Sequence, residues 1–196
     1  MSSREQEIIS AAAKVFNEKG YHAATTRDIA ASVGIQQASL YYYISSKEEL
    51  LYLVVREPIM QLYAQVEAIV KATWPTRTKI ERGIQAHLTA FDENYPHMFV
   101  FLHELQNVIE ALPDTLSEFT NRYQRLWEDL VRQGVVAGEL RGDLDIRTTV
   151  LMILGMCNWT YRWYRKGGRL DTTALAQQYA SAILDGIVAR AAHQEA

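Results

Sequence analysis

Apolar residues recur every three or four positions along most of this chain, which is the spacing of an amphipathic helix. The first stretch runs from Arg4 to Lys19 and places Ile8, Ala12, Val15 and Phe16 on one face. Similar stretches predict further helices over about residues 25–33, 37–43, 47–72, 80–91, 97–112, 113–134, 145–165 and 171–187. No stretch has the two-residue alternation of a strand. The pattern therefore predicts an all-α fold.

Two short helices around a tight turn lie between Thr25 and Leu50. Thr25 and Asp28 have the spacing of a capping box, and Gly34 suits the helix end because glycine adopts a left-handed conformation without steric cost. The second helix directs Leu40 inward and leaves a polar outer face. This arrangement is typical of a helix-turn-helix, whose second helix enters the DNA major groove.

Pro58 interrupts the long helix predicted over residues 47–72. Proline lacks a backbone N–H, so a kink or break is expected near Arg56–Pro58. The bend has two interpretations: a local structural feature, or a joint that sets the position of the helix-turn-helix relative to the rest of the chain.

Composition restricts the class of protein. The chain has 196 residues, of which 48% are hydrophobic and 22% charged, so it can bury a sizeable core in one domain or two small ones. A single cysteine, Cys157, allows no internal disulfide and suits a reducing cytoplasm. No signal segment or membrane-spanning apolar run is evident. A cytoplasmic protein without membrane association is therefore expected.

The charge balance argues against indiscriminate nucleic-acid binding. The net charge is −3, and residues 1–50 carry five lysines and arginines against six acidic residues. DNA binding must then depend on a few placed cations, hydroxyl groups and helix N-termini.

The stretch Gly34–Leu50, GIQQASLYYYISSKEEL, resembles the turn and following helices of the TetR-like bacterial regulators. Their usual run is Gly-Val-Ser-x-Gly-Thr-Leu-Tyr-Tyr-His-Phe-x-Ser-Lys-Glu-Glu-Leu. This chain departs from it at Gln36, Ala38, Tyr43 and Ile44, which bears on the operator sequence and not on the fold. The resemblance implies a three-helix DNA-binding head at residues 1–46 and a six-helix effector and dimerisation domain at residues 47–196.

The same resemblance implies a ligand-responsive repressor that binds a palindromic double-stranded operator as a homodimer. Position then predicts the DNA contacts: the start of the second helix reads bases, and flanking hydroxyls and cations hold phosphates. Gln36, Gln37 and Ser39 are the predicted base readers. The flanking residues predicted to bind DNA are Thr26, Arg27, Tyr41, Tyr42, Tyr43 and Lys47.

The stretch Asn158–Leu170 resembles a TetR-family branch that senses acyl-coenzyme A thioesters. That resemblance implies a long apolar pocket with cations near its mouth, and Arg122, Arg125, Arg162 and Arg165 are candidates by residue type. The predicted lining comprises large apolar and aromatic side chains: Met98, Phe99, Phe101, Leu102, Leu105, Tyr123, Trp127, Met156, Trp159 and Trp163. The alternative for the aromatic residues is core and subunit packing.

The homodimer implied by the resemblance forms through the last two helices. The predicted interface residues are Leu175, Tyr179, Ala182, Ile183, Gly186 and Ile187. Ala182 and Gly186 are small and one turn apart, so a helix of the partner or of the same chain can approach closely.

Enzymatic chemistry is not expected. His97 and His103 are six residues apart and do not share a helix face, so no metal site is predicted, and no cofactor motif occurs. Two other classes stay open: an architectural DNA-binding protein with a filled core, and a helical-bundle enzyme or carrier. The helix-turn-helix stretch argues against the second.

Overall fold

Nine α-helices make up most of the computed structural model, which describes residues 2–104 and 113–187, with side chains for 2–104 and 118–186. They are α1 Ser3–Lys19, α2 Thr26–Ser32, α3 Gln37–Leu40, α4 Lys47–Lys71, α5 Thr76–Glu93, α6 His97–His103, α7 Pro113–Val136, α8 Ile146–Trp159 and α9 Thr172–Ile187. A short 3-10 helix, Thr160–Arg162, follows α8. The all-α prediction is confirmed.

Side-chain caps fix several helix starts. Ser2 and Glu5 form a capping box on α1, and Thr25 and Asp28 form the predicted one on α2. The Asp171 carboxylate accepts a hydrogen bond from the Ala174 N–H at 2.7 Å and so caps α9. Each cap satisfies a backbone N–H that has no partner within the helix.

Two compact units make up the chain. The first comprises residues 1–61 and 93–120, and the second comprises residues 62–92 and 121–196. The first contains α1 to α3 together with the first part of α4 and α6, so it is larger than the predicted head at residues 1–46. The predicted boundary near residue 46 is a matter of domain definition and stays a prediction.

In the first unit, α1 packs against both α2 and α6. Its buried core includes Phe16, Ile29, Leu40, Leu50 and Val54. Because Leu40 anchors α3 with no exposed surface, the outer face of that short helix has a fixed orientation.

In the second unit, the core residues Ile80, Ile84, Trp127 and Leu130 are fully buried. Gly83 allows α5 to approach the Trp127 ring, because a Cβ at position 83 would lie 2.7 Å from a carbon of the indole. Burial of large apolar side chains of this kind is the main source of stability in such a unit.

Two of the expected helix ends were wrong, and the expected interruption at Pro58 was wrong in part. The helix α3 ends at Leu40 and not at Tyr43, since residues 41–43 continue as turns. The helix α4 passes through Pro58 without a break, and the kink expected near Arg56–Pro58 stays a prediction. The helix α8 ends at Trp159 and not at Arg165, because the 3-10 turn takes over. Residues 105–112 of the helix predicted over 97–112 lie outside the described residues.

Candidate functional site

The turn between α2 and α3 has the hydrogen-bond pattern of a Schellman motif. The N–H of Ile35 donates to the Ala30 carbonyl at 3.0 Å, and the N–H of Gly34 donates to the Ala31 carbonyl at 3.1 Å. Gly34 has φ +68°, a conformation that side-chain-bearing residues rarely adopt. The glycine therefore sets the angle at which α3 leaves the turn.

The outer surface of α3 is polar and accessible. Gln36, Ala38 and Ser39 are exposed, and Tyr42 just after the helix has 87% of its surface exposed. The Tyr42 and Tyr43 rings pack edge to face, with centroids 5.4 Å apart. This surface has the position and polarity that a groove-reading element needs.

Thr26, Gln37 and Tyr41 form a hydrogen-bonded cluster behind that surface. The Gln37 amide N–H donates to the Thr26 hydroxyl at 2.8 Å, and the Thr26 and Tyr41 hydroxyls are 3.3 Å apart. The Thr26 side chain is buried, and its hydroxyl forms hydrogen bonds within the protein. The hydroxyl is therefore not presented to a phosphate, contrary to the prediction from the sequence. A phosphate contact by Thr26 would have to come from its backbone N–H, at the first turn of α2.

Lys47 is partly covered by its own chain. Its ammonium lies 4.3 Å from the centroid of the Tyr21 ring and 3.4 Å from the His22 carbonyl oxygen. Burial lowers the Lys47 pKa, while Glu48 and Glu104 act in the opposite direction. The Lys47 ammonium is thus held in a defined position next to Tyr21 and His22. Arg27, by contrast, is exposed.

Tyr21 and Glu104 were missed by the sequence analysis. The buried Glu104 carboxylate accepts a hydrogen bond from the Tyr21 N–H at 3.0 Å, so the residue after α6 is tied to the turn after α1. The Tyr21 hydroxyl donates to Glu48 at 3.1 Å. Burial and then Glu48 raise the Tyr21 pKa to about 12. An acidic residue at the end of an apolar helix was the only available sequence signal.

The predicted pocket residues of α6 belong to the first unit. Met98 and Phe101 are buried there, while Phe99 and Leu102 are half-buried. Leu105 lies outside the described residues.

The other predicted pocket residues belong to the second unit and differ in burial. Tyr123 and Trp127 are buried, and Met156 is half-buried. Trp159 and Trp163 are 59% and 48% exposed, so they do not form the wall of an enclosed cavity in a single chain. Trp159 is the last residue of α8 and Trp163 directly follows the 3-10 helix, so both indoles lie where regular helix packing ends.

The exposed indoles lie among cations. The Arg162 guanidinium is 4.7 Å from the centroid of the Trp159 ring, and its Nε donates to the Tyr161 hydroxyl at 3.3 Å. Arg165 and Lys166 follow on the exposed turn. Of the other predicted cations, Arg122 lies over the Tyr63 ring at 5.5 Å. Arg125 lines a separate polar groove of about 520 Å³.

A buried polar cluster in the second unit was also missed. His87 joins α5 to α7 and α8: its Nδ1 is 3.0 Å from the Tyr123 hydroxyl, and its Nε2 is 3.0 Å from Asn158 Oδ1. Burial lowers the His87 pKa to about 4. Helical periodicity assigns these residues to the core but does not predict that they meet.

The predicted dimer stripe on α9 needs correction. Leu175 and Ile183 are 3% and 4% exposed, so they pack inside their own protomer and cannot form a surface stripe. The Tyr179 hydroxyl is 3.0 Å from the Thr160 hydroxyl of the same chain. Ala182 and Gly186 are exposed, and a Cβ at position 186 would meet nothing within 4 Å. The Ile187 side chain lies outside the described residues.

The helix α8 carries apolar surface that sequence periodicity assigned to the core. Leu151 and Met152 are 50% and 43% exposed, and Gly155, one turn further along, is open to solvent. Exposed apolar residues clustered on one helix are typical of a protein–protein interface. This surface, and not the Leu175–Ile183 stripe, is available to a partner.

The histidines considered as metal ligands have other partners. His97 Nδ1 is 2.9 Å from the Val54 carbonyl oxygen, and His103 Nδ1 is 3.2 Å from Glu104. Across residues 2–104 and 113–187, no group of three or more His, Cys, Asp or Glu could hold a metal ion.

The buried Cys157 thiol has its pKa raised to about 12 by burial. No helix in these ranges has the length and apolar character needed to cross a bilayer.

Comparison with known proteins agrees with this geometry. Residues 8–53 match the model of the bacterial regulatory proteins of the tetR family, and residues 73–187 match that of the tetracyclin repressor-like C-terminal domain. The HTH-type transcriptional repressor KstR2 of Mycobacterium tuberculosis is 32% identical over 188 residues, which cover 95% of this chain and 94% of the relative.

Two further comparisons extend over most of the chain. The fatty acid metabolism regulator protein of Bacillus subtilis is 25% identical over 182 residues, covering 92% of this chain and 94% of the relative. The structure of the ketosteroid transcriptional regulator KstR2 of M. tuberculosis matches with a TM-score of 0.88 at 29% identity, covering 97% of both chains. These relatives are regulators, in agreement with the prediction that this chain is not an enzyme. The chain belongs to the tetR family of bacterial regulatory proteins and is a helix-turn-helix transcriptional regulator.

Proposed function

We propose that this protein is a repressor that binds a palindromic operator as a homodimer and is released by a hydrophobic carbonyl compound. The observation that carries the DNA-binding part is the Schellman turn at Gly34, which presents the exposed Gln36, Ser39 and Tyr42 on one polar surface. The transcriptional repressor KstR2 supports repression as the direction of control, and the fatty acid metabolism regulator protein supports a role in lipid metabolism.

The proposed DNA contacts separate into two kinds. Gln36, Gln37 and Ser39 meet base edges, since they begin the helix that enters the major groove. Arg27, Tyr42, Tyr43 and Lys47 hold the sugar-phosphate backbone, because they flank that helix with cations and hydroxyls. A head without net positive charge makes such placed contacts necessary, because general attraction to DNA is weak.

The proposed effector is an acyl-coenzyme A thioester. Exposed indoles at Trp159 and Trp163, with Arg162 against one of them, offer stacking surfaces and cations of the kind that bind a nucleotide and its phosphates. The acyl chain would enter the apolar interior of the same unit. A neutral multicyclic ketone is the second candidate, which the ketosteroid regulator KstR2 favours.

The proposed homodimer uses the exposed surfaces of α8 and α9. A two-fold interface requires the same surface on both protomers, and Leu151, Met152 and Gly186 lie on exposed positions of these helices. Effector binding would then favour a spacing of the two heads that no longer fits the grooves. Such a shift requires the effector to bind one conformation more tightly than the other.

A two-step experiment tests this proposal. Operator fragments are first selected from a genomic library with the purified protein, and footprinting shows whether the protected site is a palindrome. Release from the selected operator is then followed by fluorescence anisotropy with dodecanoyl-coenzyme A, free coenzyme A, dodecanoate and androst-4-ene-3,17-dione. Release by the thioester alone supports the first effector, and release by the steroid ketone alone supports the second.

Two results would contradict the proposal. Binding without a palindromic footprint would remove the dimeric operator model. A protein that bound DNA tightly but showed no thermal shift with any probe would fit an architectural role with a filled core. Arg162→Ala is the matched effector variant, and it should weaken only release by the thioester.

A further inference from the structure

A buried hydrogen-bond donor in the second unit lacks an acceptor among the described residues. Trp127 has no exposed surface, and its indole Nε1 has no hydrogen-bond partner within the described part of the chain. A buried N–H without an acceptor costs about 1–3 kcal/mol. Such donors are rare in folded proteins, so this one needs an explanation.

The neighbouring polar groups are directed elsewhere. Asn158 Oδ1 only accepts, so His87 Nε2 carries the proton and donates to it. His87 Nδ1, unprotonated because burial keeps the ring neutral, then accepts from the Tyr123 hydroxyl. The chain of hydrogen bonds therefore runs from Tyr123 through His87 to Asn158.

Tyr123 lies one helical turn before Trp127, with ring centroids 6.5 Å apart. Burial raises the Tyr123 pKa, and the Trp127 side chain, which approaches the Tyr123 hydroxyl as a donor, lowers it in part. The two side chains nevertheless lack the geometry of a hydrogen bond at Trp127 Nε1. Within the described part of the chain, the indole N–H thus borders a polar cluster without completing a hydrogen bond to it.

None of these four side chains carries a charge at neutral pH. An anionic group placed beside them would be a buried charge without a counter-ion, which is very unfavourable. An uncharged acceptor, by contrast, would satisfy the indole N–H without introducing a charge. An uncharged oxygen is therefore a better match for this N–H than a carboxylate.

We propose that Trp127 Nε1 is the effector-recognition donor of this protein and that it binds the neutral carbonyl oxygen of a thioester or ketone, but not the carboxylate of a free fatty acid. This inference rests on the proposed effector class and deepens it, since it names the atom that reads the carbonyl. The cation-rich surface around Arg162 would contact the phosphates of a thioester and has no part in reading the carbonyl.

The test uses the indole N–H as its own reporter. The chain has four tryptophans, so protein labelled with ¹⁵N-tryptophan gives four indole signals, which single Trp→Phe variants assign. Dodecanoyl-coenzyme A is compared with its thioether analogue, dodecyl-coenzyme A, which lacks only the carbonyl oxygen. Androst-4-ene-3,17-dione is an independent ketone probe, and dodecanoate is the carboxylate probe.

The expected result is a downfield shift of the Trp127 signal with a carbonyl probe and none with the thioether or with dodecanoate. Trp127→Phe should weaken binding of that carbonyl probe by about tenfold, as expected for loss of one hydrogen bond, and leave thioether binding unchanged. Trp74→Phe is the matched control, because Trp74 is partly exposed and stacks on Arg82.

The outcomes separate the inference from the proposed function. Equal binding of thioester and thioether with an unmoved Trp127 signal would overturn the inference and leave the thioester function intact. A shift with the steroid ketone alone would support the inference and would exclude the thioester as the effector. If no carbonyl probe moves the signal, the inference is wrong, whatever happens to DNA binding. Since wild-type spectra decide this, a Trp127→Phe variant that fails to fold does not prevent the test.

Discussion

The His97 ring donates a hydrogen bond from Nδ1 to the backbone carbonyl of Val54 over 2.9 Å. In a regular helix, that carbonyl would accept from the N–H of residue 58. Residue 58 is Pro58, which has no N–H, so α4 continues with an unfilled acceptor that the side chain of α6 satisfies. The proline for which a kink or break was expected thus leaves a free acceptor on α4, and a side chain of another helix binds to it.

This relationship predicts a non-additive pair of substitutions. His97→Phe should destabilise the protein by about 1–3 kcal/mol, because the Val54 carbonyl is left without a donor in a buried position. In a Pro58→Ala background the loss should be smaller, since the alanine N–H can donate to the same carbonyl. Urea unfolding of the four proteins measures the coupling. Equal losses in both backgrounds would mean that His97 contributes by packing alone.

Gly34→Ala is predicted to weaken both the head and its operator complex. A side chain at φ +68° costs about 1–2 kcal/mol, and relief of that strain would change the angle of α3. Gly142→Ala is the matched control, because that glycine lies outside the left-handed region and its added Cβ meets nothing. Thermal unfolding and anisotropy on the selected operator check both effects. An unchanged operator affinity for Gly34→Ala would contradict this role for the turn.

The helix-turn-helix was predictable because each of its signals is local. The Thr25 cap, the Gly34 turn and the inward Leu40 are specified by residues a few positions apart, and the structure has all three. What the sequence could not supply were contacts between distant residues. Tyr21 and Glu104 are far apart in the chain, and so are His87 and Asn158, and neither pair has a local pattern.

The dimer residues show a different limit. Helical periodicity correctly grouped Leu175 and Ile183 on one face, but it cannot tell whether that face packs on the same chain or on a partner. The same holds for α8, where apolar spacing suggested core and the structure leaves Leu151 and Trp159 exposed.

Lowering the pH should abolish the stabilisation that the Asp28 carboxylate gives to the N-terminus of α2. Hydrogen bonds from Lys19 and Thr25 lower its pKa from 3.8 to about 2. A carboxylate with a lowered folded-state pKa stabilises the fold above its unfolded pKa, and this contribution is lost as pH falls from about 4 to about 2. The difference in unfolding free energy between the wild type and Asp28→Asn should therefore shrink over that range. A constant difference would exclude a carboxylate-specific contribution.

Gln37→Ala should relax the preference at one base pair and cost about 1–3 kcal/mol on the selected operator. The Gln37 amide N–H is held by Thr26, so the amide oxygen keeps a fixed orientation as an acceptor for a base. Thr26→Val should therefore also broaden base preference, although it leaves Gln37 in place. Selection from randomised operators gives the base profile of each variant.

Lys47→Ala is the phosphate-contact variant with which the base-reading variant Gln37→Ala is compared. Loss of a phosphate contact should weaken all sequences alike and reduce the salt slope of binding by about one. Its base profile should match that of the wild type, as measured by anisotropy over a range of salt concentrations. If Gln37→Ala behaved like Lys47→Ala, with uniform weakening of every sequence, the assignment of Gln37 to base reading would be wrong.

Substitutions on opposite faces of α9 should separate protomer stability from assembly. Leu175 is buried in its own chain, so Leu175→Ala should cost about 2–5 kcal/mol of unfolding free energy. Gly186 faces open space, so Gly186→Leu should leave the protomer stable and weaken the dimer by about 1–3 kcal/mol through overpacking against the partner. Gly142→Leu is the control, since Gly142 is also open but lies in a loop. Sedimentation velocity gives the dimer affinity and urea unfolding gives the stability. A Gly186→Leu protein that remained a tight dimer would remove this surface of α9 from the interface and leave α8 as the candidate.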